Sequence, residues 1–307
     1  MSASGEQVPE VAGRSRSTVP SRSGRLSAYG GLPDSGVHYD IPPAVFELLL
    51  DRNMNYSSGY YPTGGEDLHA AQEAKMSRIS HYVGLNAGQQ VLDLGCGWCG
   101  PALYFAERYG CRVTGVTLSS AQREHALAWA ARRGLGDRLT VDLRNVPDLP
   151  YPDGSFDQVL FLESIIHMSE KAAIFARCAR LLRPGGRVFI QESNYDRASR
   201  RGRYLADRGY DEVNRAFGYT SHMVSAGEML MFLEEAGLVP EWVEDISAHY
   251  VRTLGQWLAN LDLHADRMRV ISERAYTMLR RYLMIALATY RAGGTVCHMI
   301  TARKPLR

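Results

Sequence analysis

Ten consecutive residues, Val91-Leu92-Asp93-Leu94-Gly95-Cys96-Gly97-Trp98-Cys99-Gly100, constrain this chain more than any other stretch. An apolar run that breaks directly into a glycine-punctuated turn reads as a buried strand handing over to a helix. Gly95, Gly97 and Gly100 stand at G-x-G-x-x-G spacing, which lets the backbone turn sharply, approach a ligand and pack the next helix against its strand. Spacing alone leaves the ligand open. A nicotinamide or flavin site would carry an acidic residue about 20 positions beyond the first glycine, to hold the ribose hydroxyls. Here the second strand, residues 111–116, delivers Thr117 instead. The carboxylate lies upstream, at Asp93, where it repels a pyrophosphate and favours a ligand bearing an ammonium or sulfonium charge. That points to S-adenosylmethionine.

Around this turn the chain alternates strands and helices, as expected of a doubly wound α/β fold with helices on both faces of a parallel sheet. Strands are predicted at 91–94, 112–116, 139–143, 156–162, 187–191 and near 296–301. Helices are predicted at 68–83, 101–109, 121–133, 170–182 and 225–236, with another starting after Pro42-Pro43 and long ones across 247–291. Ser119-Ser120-Ala121-Gln122 has the pattern of a capping box. Residues 195–225 are rich in Arg and Tyr, ill suited to a core strand, and read as a cap over the sheet ends together with 38–83 and 247–291. Residues 1–37, rich in Ser, Gly, Pro and Arg, read as a mobile tail. The competing reading is a segment around Leu26 to Tyr29 that docks over an active site or a neighbouring subunit, making a homo-oligomer.

A chain of 307 residues is long enough for one large α/β domain, 38–307, with a substantial cap. A net charge of +2, with scattered basic residues, argues against nucleic acid as a partner. No apolar run approaches the roughly 18 residues of a membrane span, and there is no secretory apolar core, so a cytoplasmic setting is expected. The 5 cysteines, an odd number, do not form a disulfide framework. Cys96-x-x-Cys99 has no second pair to complete a zinc site, so no metal is expected. Lys75, Lys171 and Lys304 are the only lysines, an arginine bias typical of a GC-rich bacterial source.

Ligands of open α/β sheets bind at the carboxyl ends of the strands. The residues there are Asp93 and the glycine turn; Thr117-Leu118-Ser119; Arg144-Asn145-Val146; Glu163-Ser164-Ile165-Ile166-His167; and Glu192-Ser193. Asn145 can meet a purine edge with its amide, while Thr117 and Gln122 can serve ribose or carboxylate oxygens.

The chain resembles class I S-adenosylmethionine-dependent methyltransferases, in the branch of cyclopropane fatty acid synthases, mycolic acid synthases and coclaurine-type N-methyltransferases. The resemblance covers about residues 38 to 305. Its motifs are His38-Tyr39-Asp40, Leu50-Asp51, Met54-Asn55-Tyr56-Ser57-Ser58, the glycine turn, Thr117 to Gln122, Leu182-Arg183-Pro184-Gly185-Gly186, Val243-Glu244-Asp245-Ile246-Ser247, and His249-Tyr250-Val251-Arg252-Thr253-Leu254. It implies a Rossmann-like seven-stranded sheet. It also implies cofactor contacts from Tyr56, Ser57, Asp93, Gly95, Cys96, Gly97, Thr117, Leu118, Gln122, Asn145 and Val146.

Cyclopropane synthases hold a bicarbonate with a Cys, a Glu, a His and a Tyr. The matching positions here are Ser58, Ile166, Gln191 and Tyr250, three of them changed, so the base for cyclopropanation is missing and that chemistry is disfavoured. The 163–168 loop instead resembles that of tocopherol-type and prenyl-chain methyltransferases, which implies a small, largely apolar acceptor methylated at oxygen or carbon. His167 is the first candidate for a general base, against a purely structural role at a helix start. Glu163 reads as a base, as an anion that stabilises a carbocation, or as a contact to the cofactor. Tyr204, Tyr210, Tyr250 and Trp257 are candidates for a substrate wall, against plain core packing. A cyclase or scaffold that no longer transfers methyl is the reading from a different class.

Overall fold

A computed structural model describes residues 41–205 and 222–307. Strands β1 (Gln90–Leu94), β2 (Arg112–Thr117), β3 (Leu139–Leu143), β4 (Phe156–Leu162), β5 (Leu182–Tyr195), β6 (Val239–Asp245) and β7 (Thr295–Arg303) form one sheet in the order β3-β2-β1-β4-β5-β7-β6. β1 to β5 run parallel, and β7 runs antiparallel between β5 and β6. The order reverses between β1 and β4, so their carboxyl ends splay helices to opposite faces and open a crevice at the switch point.

Apolar side chains alternate across the sheet, as a period of two dictates. Val91, Leu160, Leu162 and Phe189 face one cluster, with Phe46, Met76, Leu103, Trp257 and Leu283. Leu92, Leu94, Phe161 and Ile190 face the other, with Phe175, Leu181, Met229 and Leu233. The first layer draws on helices α1 (Pro43–Leu49), α2 (Leu68–Val83), α3 (Gly100–Tyr109) and α4 (Ser120–Arg132). The second holds α5 (Lys171–Leu181) and, after the short α6 (Arg201–Leu205), α7 (Ala226–Glu235). Two long helices, α8 (Ser247–Leu263) and α9 (Ala265–Arg291), join the first layer. α9 is interrupted at Ser272, whose backbone is extended and whose Oγ accepts a hydrogen bond from Ala275 N, so the serine caps the helix that restarts there.

Three local expectations need correction. β6 is a strand that pattern reading passed over: its residues alternate between exposed and half-buried, Pro240 sits at a register shift, and Glu241 bridges Arg187 (2.8 Å) and Arg303 (2.5 Å). These are marks of a defended sheet edge and not of an apolar core strand. β5 extends to a buried Tyr195, the first residue of the segment expected to be a cap, of which 206–221 lie outside the described residues. The box at α4 is half formed: Ser119 Oγ accepts from Gln122 N (3.2 Å), but the Gln122 side chain accepts from Thr117 Oγ1 (2.7 Å) and does not return to Ser119. The complete box lies at α7, where Ser225 and Glu228 cap each other.

Among the described residues no helix is long and apolar enough to cross a membrane.

Candidate functional site

The glycine turn does three separate things. Gly95 (φ 80°) lets the exit of β4 close on β1, since a Cβ there would stand 2.4 Å from Ser164 Cβ; Ser164 Oγ donates to Leu94 O at 2.5 Å. Gly97 (φ 52°) faces open space, which leaves room for a ligand against bare backbone. Gly100 begins α3 where a Cβ would fall 1.6 Å from the carbonyl oxygen of Asn53, so the segment 51–61 lies directly on the turn. Cys96 and Cys99 are buried thiols packed against Gly115 of β2.

Asp93 is buried at the end of β1, and its Oδ1 has no hydrogen-bond partner among the described residues. Burial pushes its carboxyl up to about 7, against the opposing pull of Lys75. An orphaned acceptor beside bare backbone fits a ligand that brings its own ammonium, as S-adenosylmethionine does.

The other predicted cofactor positions surround this point unequally. Thr117 and Gln122 bond to each other, and Ser119 N donates to Thr117 Oγ1 (3.2 Å). Leu118 follows on the exit loop of β2, and Asn145 and Val146 lie on that of β3, Val146 buried. Tyr56 packs against Phe46 (5.1 Å between centroids) and Trp257 (5.4 Å). Ser57 is buried, its hydroxyl taken by Lys75 Nζ (2.8 Å).

The segment 51–61 is a strap bonded along its length. Asp51 gathers the amides of Asn53 and Asn55, Gln72 Nε2 donates to Ser57 O (2.7 Å), Gly59 N donates to Thr253 Oγ1 (3.0 Å), and Tyr61 N donates to His249 Nδ1 (2.9 Å).

Glu163 meets the strap at the exit of β4, with a φ of 58° that a side-chain-bearing residue adopts only at a cost of about 1 kcal/mol. Its Oε1 accepts from Ser58 N (2.7 Å) and Gln191 Nε2 (2.7 Å), and its Oε2 from Tyr250 Oη (2.6 Å). Burial raises its pKa, while the three donors and Lys75 pull it back. Ser58, Gln191 and Tyr250 are three of the four positions that the sequence resemblance matched to a bicarbonate cage. In this structure all three bond to Glu163, a carboxylate of the chain itself. The fourth position, Ile166, is buried and donates its N–H to Glu192 Oε2 (2.9 Å).

Glu192, also bonded by Ser193 N (2.8 Å), supports the 165–167 turn from below, and burial raises its carboxyl to about 8. His167 ends that turn and is exposed. Of the predicted wall, Tyr250 and Trp257 are buried, with Tyr290 4.6 Å from Tyr250. The hydroxyl of Tyr250 is committed to Glu163, and Trp257 Nε1 has no partner among the described residues. Tyr204 lies in α6, and Tyr210 lies outside the described residues. Sequence reasoning missed Lys75 and Gln72. The signal for Lys75 was present, a lysine in register with the buried face Leu68, Ala71, Gln72, Met76 and Ile79 of α2.

Residues 32–300 match the family model described as mycolic acid cyclopropane synthetase. The chain is 32% identical over 280 residues to a probable fatty acid methyltransferase of Pseudomonas putida, covering 87% of this chain and 68% of that protein. It is 30% identical over 275 residues to the 27-O-demethylrifamycin SV methyltransferase of Amycolatopsis mediterranei, covering 88% and 96%. Its fold matches the crystal structure of mycolic acid cyclopropane synthase CmaA1 complexed with SAH and CTAB, with a TM-score of 0.81, 23% identity and coverage of 88% and 97%. The turn that leaves backbone bare, the unpartnered Asp93 and the family match over most of the chain converge: the chain belongs to the mycolic acid cyclopropane synthetase family and is an S-adenosylmethionine-dependent methyltransferase.

Proposed function

We propose that this enzyme methylates an oxygen or carbon of a small, largely apolar secondary metabolite in the bacterial cytoplasm. Prenylated or terpenoid compounds are included, where methylation of an alkene can trigger cyclisation. The observation that carries the reading is the Glu163 carboxylate, fixed by three donors among the aromatic rings of Tyr250 and Trp257. The likeness to a 27-O-demethylrifamycin SV methyltransferase supports a natural-product acceptor.

The cofactor supplies an electrophilic methyl on a sulfonium. Asp93 and the glycine turn would hold its amino-acid end, with Tyr56 and the strap beside them. Bound there, the cofactor would supply this methyl to the acceptor's electron pair, the sulfur keeping the pair of the broken carbon–sulfur bond, so holding the acceptor in line is much of what the chain's residues would contribute. With a hydroxyl acceptor, the proton passes to His167, worth about 10²- to 10⁴-fold. With an alkene acceptor, Glu163 faces the positive charge that develops on the adjacent carbon. Its three donors fix it in place and oppose the rise in pKa that burial imposes, which suits a held carboxylate better than a mobile base.

The test is incubation with S-adenosylmethionine carrying a fully deuterated methyl group and an extract of the host's metabolites, read by mass spectrometry. A product retaining three deuteriums is expected and names the acceptor. Retention of only two would reinstate a deprotonation step as in cyclopropane formation. No label despite cofactor binding would favour a cyclase or scaffold.

A further inference from the structure

Lys75 is fully buried on α2. An ammonium out of water is costly unless it is bonded and balanced by opposite charge. Its hydrogen bonds go to neutral oxygens of the strap, Ser57 Oγ at 2.8 Å and Asn55 Oδ1 at 3.5 Å. Its charge partners are Glu163 after β4, Asp51 at the start of the strap and Asp93 on β1. One cation is thus bonded to the strap and lies within electrostatic reach of carboxylates on β1 and after β4.

We propose that Lys75 is a positioning residue for cofactor binding: its ammonium pins Ser57 of the strap and stands as the counter-charge to Asp93 at the glycine turn. The proposal rests on the cofactor assignment above and adds a residue to that site.

The electrostatics give the proposal a pH signature. The groups facing Lys75 are Asp51, itself bonded to His69 Nδ1 (3.1 Å), then Asp93, Glu163 and the neutral thiol of Cys297 from β7; Cys96 lies next to Asp93. Around Glu163 stand Tyr250, Tyr56, Tyr290 and Glu192. Burial lowers Lys75 to about 8, and Asp93 stands at about 7 with the help of that cation. Removing the cation raises the Asp93 carboxyl further, so at neutral pH the variant presents a protonated acid to the cofactor's ammonium. In alkaline solution Asp93 ionises in the variant while Lys75 loses its charge in the wild type, and the two proteins converge.

Calorimetric titration of the intact protein with S-adenosylmethionine, which needs no acceptor, tests this. Lys75→Met should weaken binding about 10-fold near pH 7 and lie within about 3-fold of the wild type near pH 9. Ser57→Ala, which keeps the charge and loses the tether, should weaken binding about 3-fold equally at both pH values. A Lys75→Met loss that is equal at both pH values, or absent at both, would overturn the proposal. If Lys75→Met does not fold, Ser57→Ala still decides, and unchanged binding overturns the tether. A wild type that binds no S-adenosylmethionine would overturn the cofactor assignment itself, and the proposal with it.

Discussion

The two halves of the site are built by different means. At the glycine turn between β1 and α3, backbone is left open to a ligand: Gly97 leaves open space, Gly95 and Gly100 allow close packing, and Asp93 offers an oxygen with no partner among the described residues. Across the crevice, between the strap, β4, β5 and α8, the backbone is covered and the site is a network of side chains converging on Glu163. The first half suits a cofactor common to many enzymes, because bare backbone recognises features every such cofactor has. The second can be re-equipped residue by residue without disturbing the fold, as acceptor chemistry demands.

If the halves are distinct in this way, substitutions should separate them. The largest effect is expected where they touch. Gly100→Ala forces a methyl to within 1.6 Å of the Asn53 carbonyl oxygen, and relieving that clash means moving the strap off the turn. A loss of about 3 kcal/mol in stability is expected, measured by denaturant unfolding, together with loss of cofactor binding. Unaltered stability would show that the strap is not seated on the turn.

Next, Glu163→Gln should lower turnover on an alkene-type acceptor about 10²- to 10³-fold while changing S-adenosylmethionine affinity by less than about 5-fold. Steady-state kinetics separates the two quantities, and a predominant effect on cofactor affinity would assign Glu163 to the cofactor half. His167→Ala should slow an oxygen-directed reaction about 10²-fold near pH 7 and much less near pH 9, where more of the acceptor is already ionised. A rate unchanged at neutral pH removes His167 from the mechanism. The smallest effect is expected for Tyr250→Phe, which removes one of the three donors to Glu163 and keeps the ring in place. Turnover about 10-fold lower with nearly normal cofactor binding would place Tyr250 in the acceptor half.

The same contrast explains what could be read from sequence. β1, β4 and the middle of β5 are apolar runs covered on both faces, β2 and β3 carry apolar residues at alternate positions, and the glycine turn is contiguous, so these were visible in local pattern. β6 was not, because an edge strand with Pro240, Glu241 and Glu244 carries no core signal. The network around Glu163 joins residues separated by 105, 28 and 87 positions, a proximity created by the fold. Ser58, Gln191 and Tyr250 could be singled out by resemblance, but their use could not: only the left-handed backbone at Glu163 and the closure of the strap reveal that they hold the chain's own carboxylate. Lys75 was legible as an oddity, a lysine on an apolar face, while its partners were not.

The central claim is that the acceptor half is organised around the internal carboxylate of Glu163. Glu163→Gly tests it most directly, because glycine is at ease at a φ of 58° and its substitution empties a cage that keeps all three donors. Transfer of the deuterated methyl group by this variant is then measured with and without added formate. The account predicts transfer reduced about 10²-fold and raised again about 10-fold by formate, which supplies the missing anion. Transfer near the wild-type rate without formate would contradict it.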